Sequence, residues 1–267
     1  MEKASQAVND FGVAGSVALV TGAGRGIGAQ IARSYAAAGA RLVLVARSEP
    51  ELAAVAADAR ALGTEALVIA RDLSDVGAAP GIVDAAIAEY GRLDVLVNNA
   101  GGAAPRSFAE TTPQALDEAF HFNVSAPFEL TKRATPHLLR SGRGSVINIT
   151  SMMDRLAGRG LLIYGTVKAA LAHMTRLLAA ELAPAIRVNA IAPGIVETEE
   201  LRRVLDETMR RRIVEATPLR RLASTTDVAN AALWLASPAS GYLTGKVIEL
   251  DGGAQVPALA DDTPDPR

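Results

Sequence analysis

Short apolar runs alternate along this chain with longer stretches in which apolar residues recur at helical spacing. Val17–Val20, Arg41–Ala46, Glu65–Ala70 and Leu93–Val97 are the first four runs; Gly144–Thr150, Ile186–Ile191 and Lys246–Leu250 bring the number to seven. They are rich in β-branched residues and are predicted strands. Between them lie helical patterns. One passes Ile31, Ala32 and Tyr35 and stops at Gly39. Glu51–Leu62 ends at Gly63, and Ile82–Tyr90 ends at Gly91. Two more begin at Pro113 and Pro127, and a long one runs from about Leu161 to Leu182. Strands alternating with helices mean parallel βαβ units. The runs are apolar on both sides, as strands covered on both faces must be. The pattern therefore predicts an α/β fold, a doubly wound seven-stranded parallel sheet with helices on both faces.

Length alone, at about 150 residues per domain, suggests roughly two domains for 267 residues. No composition break, charge block or linker interrupts residues 12–253, so one domain is predicted there. Residues 1–11 and 254–267 are the flanking tails. The polar start and the Pro- and acid-containing end, Ala260–Arg267, have no period and are expected to be flexible.

Composition removes several kinds of chemistry. The chain carries 27 basic and 29 acidic residues, a net charge of −2, with no global basic footprint for nucleic acid. It has no cysteine, which excludes disulfides, thiolate nucleophiles and cysteine-bound zinc. His121, His137 and His173 are scattered without ligand spacing, so no metal is expected. The first residues lack the build of a signal peptide, and no apolar stretch approaches the roughly 18 residues of a membrane span. A soluble cytoplasmic protein with no membrane partner is the expectation.

The first predicted strand runs into Thr21-Gly22-Ala23-Gly24-Arg25-Gly26-Ile27-Gly28 and then a helix. Glycines there let the chain turn tightly and let a phosphate approach amides at the helix N-terminus. In a βαβ unit this marks a dinucleotide site, with Gly22, Gly24, Arg25 and Ile27 as candidate contacts. No Gly-Lys-Ser/Thr follows, which excludes a P-loop. The second strand ends in Ala46-Arg47-Ser48, without the carboxylate that binds the adenosine ribose of NAD. Arg47, helped by Arg25, can pair with a 2′-phosphate, so NADP is favoured. The missing carboxylate also argues against an S-adenosylmethionine site.

Ser151 follows the fifth strand, and Tyr164 and Lys168 follow at i and i+4 on one helix face. Ligands of open α/β sheets sit beyond the carboxyl ends of strands, where all three can meet. A lysine charge beside a tyrosine favours the phenolate and lowers its pKa, which suits proton transfer.

With these residues the chain resembles the short-chain dehydrogenase/reductase family, over roughly residues 12–253. The marks are the TGAGRGIG turn, Asn98-Asn99-Ala100-Gly101, Asn123, Ser151, Tyr164-x-x-x-Lys168 and Ile191-Ala192-Pro193-Gly194. The resemblance implies a Rossmann-like fold and a reaction between a carbonyl and an alcohol. It implies that Tyr164 is general acid and base, that Lys168 binds the nicotinamide ribose, and that Ser151 polarises the carbonyl. Asn123 would hold a relay water. Asn99 and Gly101 would line the cofactor cleft, Asp72 would approach the adenine, and Val196 and Thr198 would contact the carboxamide. Homodimers or homotetramers through the helices from Pro127 and Leu161 are implied too. The family often has Ser directly before the motif lysine; here Val167 stands there, with an effect expected on packing rather than chemistry.

For substrate, two segments flank the expected mouth. Met152–Ile163 offers Met152, Met153, Leu161 and Leu162 to an apolar substrate, or to packing. Glu197–Pro218 reads as a helical lid with Arg202, Arg203, Arg210, Arg211 and Arg212, a patch for an acyl-carrier or coenzyme A phosphate or a solvated face balanced by nearby acids. A 3-oxoacyl-thioester ketoreductase is the first expectation and a hydroxysteroid or alicyclic alcohol dehydrogenase the alternative. A dinucleotide-sensing regulator without turnover is the reading from another class.

Overall fold

The structure, a computed structural model, describes residues 11–256. The expected flexible segments 1–10 and 260–267 lie outside the described residues. In chain order the main elements are β1 (Val17–Thr21), α1 (Gly26–Ala37), β2 (Arg41–Ala46), α2 (Glu49–Ala61), β3 (Ala66–Ala70), α3 (Ala79–Tyr90), β4 (Val95–Asn98), α4 (Pro113–Phe120) and α5 (Ala126–Ser141). They continue as β5 (Gly144–Ile149), α6 (Leu162–Leu182), β6 (Ile186–Pro193), α7 (Glu199–Val204), α8 (Glu207–Ala216), α9 (Thr225–Ala236) and β7 (Val247–Leu250).

All seven strands are parallel, in the order β3-β2-β1-β4-β5-β6-β7. This is the expected Rossmann-like, doubly wound sheet. The strand order reverses between β1 and β4, so their carboxyl ends open a crevice where ligands of such sheets bind. Alternate residues of one strand feed two separate cores. Ala18 and Val20 pack with α1, α2 and α9, while Val17 and Leu19 pack with α3, α5 and α6. That two-sided burial is why the strands read as unbroken apolar runs.

The opposite, amino end of the sheet is tied by Asp94. Its carboxylate accepts the Val17 amide at 2.8 Å, Arg92 at 2.7 and 2.9 Å, and Arg143 at 3.0 Å, and its carbonyl accepts the Ser145 amide at 3.0 Å. Burial pushes this carboxyl up, but the bonds together outweigh it and hold its pKa below the ordinary value. β1, β4 and β5 are thus pinned at the end away from the crevice.

Three elements differ from the sequence expectation. The lid is two short helices rather than one, because Asp206 stops the first and caps the second by accepting the Met209 amide at 2.7 Å. α9 is an additional helix, opened by a reciprocal cap between Ser224 and Asp227. β6 runs on to Pro193, which pairs with Leu250 after β5 has ended; a proline is tolerated there because no β5 ladder needs its missing N–H. Among the described residues, no helix is long and apolar enough to cross a membrane.

Candidate active site

β1 delivers the glycine turn to the crevice. Gly22 and Gly26 adopt φ of +63° and +56°, which L side chains rarely do. The Thr21 hydroxyl, which the sequence reading passed over, joins this turn to the one after β4. It donates to the Val97 carbonyl at 3.2 Å and accepts the Asn99 and Ala100 amides at 2.9 and 3.0 Å. The Asn99 side chain donates back to the carbonyls of Thr21 and Gly22, at 2.9 and 3.3 Å. Arg25 stands at the start of α1 without a side-chain cap, so the first amides of that helix suit an anionic group. Ile27 is half-buried against the core. A Cβ on Gly26 would stand 3.5 Å from the Thr198 methyl, and Arg25 pairs with Glu200 at 3.2 Å, so the start of α7 lies against the glycine turn. Val196 is buried just before it, bridged to Ala223.

Arg47 is exposed just beyond β2, and its charge reaches Asp72 beyond β3. Asp72 accepts the Ser74 amide and hydroxyl, both at 2.9 Å, and these bonds hold its carboxyl below the ordinary value. The structure also brings up a carboxylate that the strand ends do not show. Glu51 of α2 leans on the turn, its Oε2 3.0 Å from where a Cβ on Gly24 would be.

The other half of the site gathers at the ends of β4 and β5. The Ser151 hydroxyl accepts the Met153 amide at 3.2 Å and hydrogen-bonds with Tyr164. Lys168, one turn along α6, is 4% exposed; its Nζ donates to the Ile149 carbonyl at 3.0 Å and lies 5.8 Å from the Tyr164 ring centre. Between α4 and α5 the helix widens into a π-type turn over His121–Ser125. Asn123 sits in it, donating to the Ala119 and Gly102 carbonyls at 2.9 and 3.0 Å and accepting the Gly102 amide at 2.8 Å. Both its N–H groups are engaged, which leaves one lone pair on Oδ1 for a water. A Cβ on Gly101 would come 2.7 Å from Asn123 Oδ1 and 2.9 Å from Lys168 Nζ, so only glycine lets the two converge. Val167 is fully buried.

Sequence reasoning expected the lysine charge to dominate the Tyr164 pKa. In the structure burial dominates and pushes the phenol above its ordinary value, opposed by the Ser151 hydrogen bond. Burial also pulls Lys168 down to about 8. A raised phenol stays protonated near neutral pH, which is the form that gives up a proton.

At the mouth, Met152 and Met153 are buried with Ala254 and pack on Leu161, Tyr164 and Ile195. The packing reading of these methionines holds, and their cluster includes Tyr164. Leu162 is exposed. A recess of about 240 Å³ is lined by Gly102, Ala104, Arg106, Phe122 and Ile163 among others. Of the lid arginines, Arg202 and Arg210 both pair with Glu197. The glycine turn, the uncapped α1 start and the cradle at Gly101 together fit a dinucleotide in the crevice.

A protein-family model described as enoyl-(acyl carrier protein) reductase matches residues 22–255. An uncharacterized oxidoreductase of Mycobacterium tuberculosis is 47% identical over 251 residues, covering 93% of this chain and 95% of the relative. The 7alpha-hydroxysteroid dehydrogenase of Escherichia coli is 36% identical over 241 residues, covering 90% and 94%. A solved 7alpha-hydroxysteroid dehydrogenase, complexed with NADH and 7-oxo glycochenodeoxycholic acid, superposes with a TM-score of 0.90 at 34% identity, covering 94% of this chain and 98% of that one. Fold, motif order and near full-length similarity agree, and the chain belongs to the short-chain dehydrogenase/reductase family of oxidoreductases.

Proposed function

We propose that this protein is an NADP(H)-dependent oxidoreductase that interconverts a ketone and a secondary alcohol, with Tyr164 as general acid and base. The observation that carries this reading is the convergence of Asn123 and Lys168 on Gly101, with Ser151 hydrogen-bonded to Tyr164. The nicotinamide, when bound, supplies or accepts the hydride. The glycine turn and the α1 start would hold the pyrophosphate, Arg47 the 2′-phosphate and Asp72 the adenine side. Asn99, Gly101, Val196 and Thr198 would line the nicotinamide half, with Lys168 on its ribose. Ser151 orients the substrate oxygen, and Tyr164 gives that oxygen its proton during reduction.

Arg47 and Glu51 pull in opposite directions at the adenosine end. The Arg47 fork would pair bidentately with a 2′-phosphate, whereas Glu51 leans toward Gly24. Arg47→Ala is expected to weaken NADPH binding by about tenfold or more and NADH binding much less, since a charge-assisted bond is worth about 1.5–3 kcal/mol. Fluorescence titration of both cofactors measures it; equal losses would overturn the NADP reading.

For substrate, the methionine wall beside Tyr164 favours an alicyclic or steroid-like ketone. A carrier-bound 3-oxoacyl thioester is the second reading, favoured by the exposed Arg203 and Arg211; the description of the matching family model shares the acyl carrier but names an enoyl, not a 3-oxo, reductase. NADPH oxidation with an oxo-steroid and with an acetoacetyl thioester, each against Tyr164→Phe, separates the two. Turnover of only the thioester would move the substrate assignment to the second. A homodimer or homotetramer through α5 and α6 is part of the proposal, because their outer faces expose Phe128, Leu162 and Leu177. Sedimentation reads it directly, and a monomer would refute it.

A further inference from the structure

The second strand ends in Ala46, a methyl group where a dinucleotide site of this type commonly places a carboxylate for the adenosine ribose. A carboxylate nevertheless stands beside that strand end. Ser48 and Glu51 have the spacing of a reciprocal helix cap, in which the acid would accept the Ser48 amide. Only half of that cap forms. The Ser48 hydroxyl accepts the Glu51 amide at 3.4 Å, and among the described residues the Glu51 carboxylate has no hydrogen bond or ion pair. Instead the side chain lies along the glycine turn. Its Cβ and its Oε2 are each 3.0 Å from where a Cβ on Gly24 would be, and the Ala46 Cβ is 3.7 Å from the same point. Gly24, Ala46 and Glu51 therefore meet at one place, between the glycine turn and the end of β2. Arg25, the cation of the turn, pairs with Glu200 at 3.2 Å and does not neutralise Glu51.

We propose that Glu51 is a cofactor-specificity residue: its carboxylate, carried from the first turn of α2 to the glycine turn, takes the ribose-hydroxyl role that Ala46 cannot fill, so the site admits NAD(H) as well as NADP(H). An ionised carboxylate accepts hydrogen bonds from the hydroxyls of an unphosphorylated ribose. Beside a 2′-phosphate the same charge repels. Glu51 thus acts with opposite sign on the two cofactors, while Arg47 draws only the phosphate. This inference rests on the reading that the crevice holds a dinucleotide. It does not depend on the reaction, the substrate or Tyr164.

The test measures binding of NADH and of NADPH to the whole chain, by dihydronicotinamide fluorescence and without substrate. Glu51→Gln is expected to raise the NADH Kd about tenfold, through loss of a charge-assisted hydrogen bond. It is expected to lower the NADPH Kd about threefold, through relief of a repulsion screened by solvent and salt. A structural fault at the turn would weaken both cofactors, so opposite signs are the signature. Glu49→Gln removes the same charge from the same helix turn, away from Gly24, and is expected to leave both constants within about twofold. NADH weakened while NADPH is not supports the proposal. An unchanged NADH constant, a loss shared by both cofactors, or an equal shift in Glu49→Gln overturns it, as does a wild-type chain that binds NADPH and no NADH. A wild-type chain that binds neither would overturn the dinucleotide reading itself, and this proposal with it.

Discussion

Tyr164→Phe is expected to lower kcat for carbonyl reduction by about a hundredfold to ten-thousandfold, the range that a placed general acid contributes. NADPH binding is expected to stay close to wild type, because the substitution removes one hydroxyl and leaves the ring that packs on Met152 and Met153. Ser151 does not replace the lost acid. It is a hydrogen-bonding partner of Tyr164 and is held by the Met153 amide, and an alkyl hydroxyl is a much weaker acid than a phenol. Burial keeps the phenol protonated through neutral pH, so reduction should be fast there and decline as the pH climbs through its raised pKa. Oxidation of the alcohol needs the phenolate and should rise over the same range. Steady-state rates in both directions against pH, with cofactor binding followed separately, make the measurement. Turnover retained in Tyr164→Phe would place the proton donor elsewhere.

Gly28→Ala is expected to be the most damaging single methyl in the cofactor half of the site. A Cβ there would overlap the Gly22 carbonyl oxygen and stand 2.5 Å from Asn99 Nδ2. The obstacle is backbone of the glycine turn itself, so no flexible side chain can swing away. Overpacking of this kind costs about 3 kcal/mol. In a domain of this size that lowers Tm by roughly 6–12 °C. Relief of the clash must push Gly22 or Asn99 out of place, so dinucleotide binding should fall as well. Gly81→Ala is the control. Gly81 lies in α3, has nothing within 4 Å of its Cβ position and needs no positive φ. It should leave Tm unchanged or raise it slightly. Thermal melts of the two variants, with and without NADPH, decide the matter; a Gly28→Ala protein that melts and binds like wild type would refute the close approach.

Much of this was legible in the sequence, and the reasons are local. Seven apolar runs gave seven strands, because strands covered on both faces have no polar side to break the run. Ser151, Tyr164 and Lys168 were readable because one lies just past a strand end and two lie one helical turn apart. What the sequence withheld depends on approach between elements distant in the chain. Glu51 matters at the glycine turn only because α2 packs beside it. α9 had a local signal in the Ser224–Asp227 cap, but its alanine-rich stripe of Ala229 and Ala232 gives weak apolar contrast. The tyrosine pKa departs from the sequence expectation for a related reason, since spacing shows a neighbouring charge and does not show burial.

The Thr21 hydroxyl has one more consequence. It serves three backbone groups at once, on two turns that approach the crevice from different strands. Those turns are thereby fixed relative to each other before any ligand arrives. Ordering loops is a cost that binding must otherwise overcome. Here that entropy is already spent during folding, so contacts made by a dinucleotide with the two turns can appear as affinity in nearly full measure.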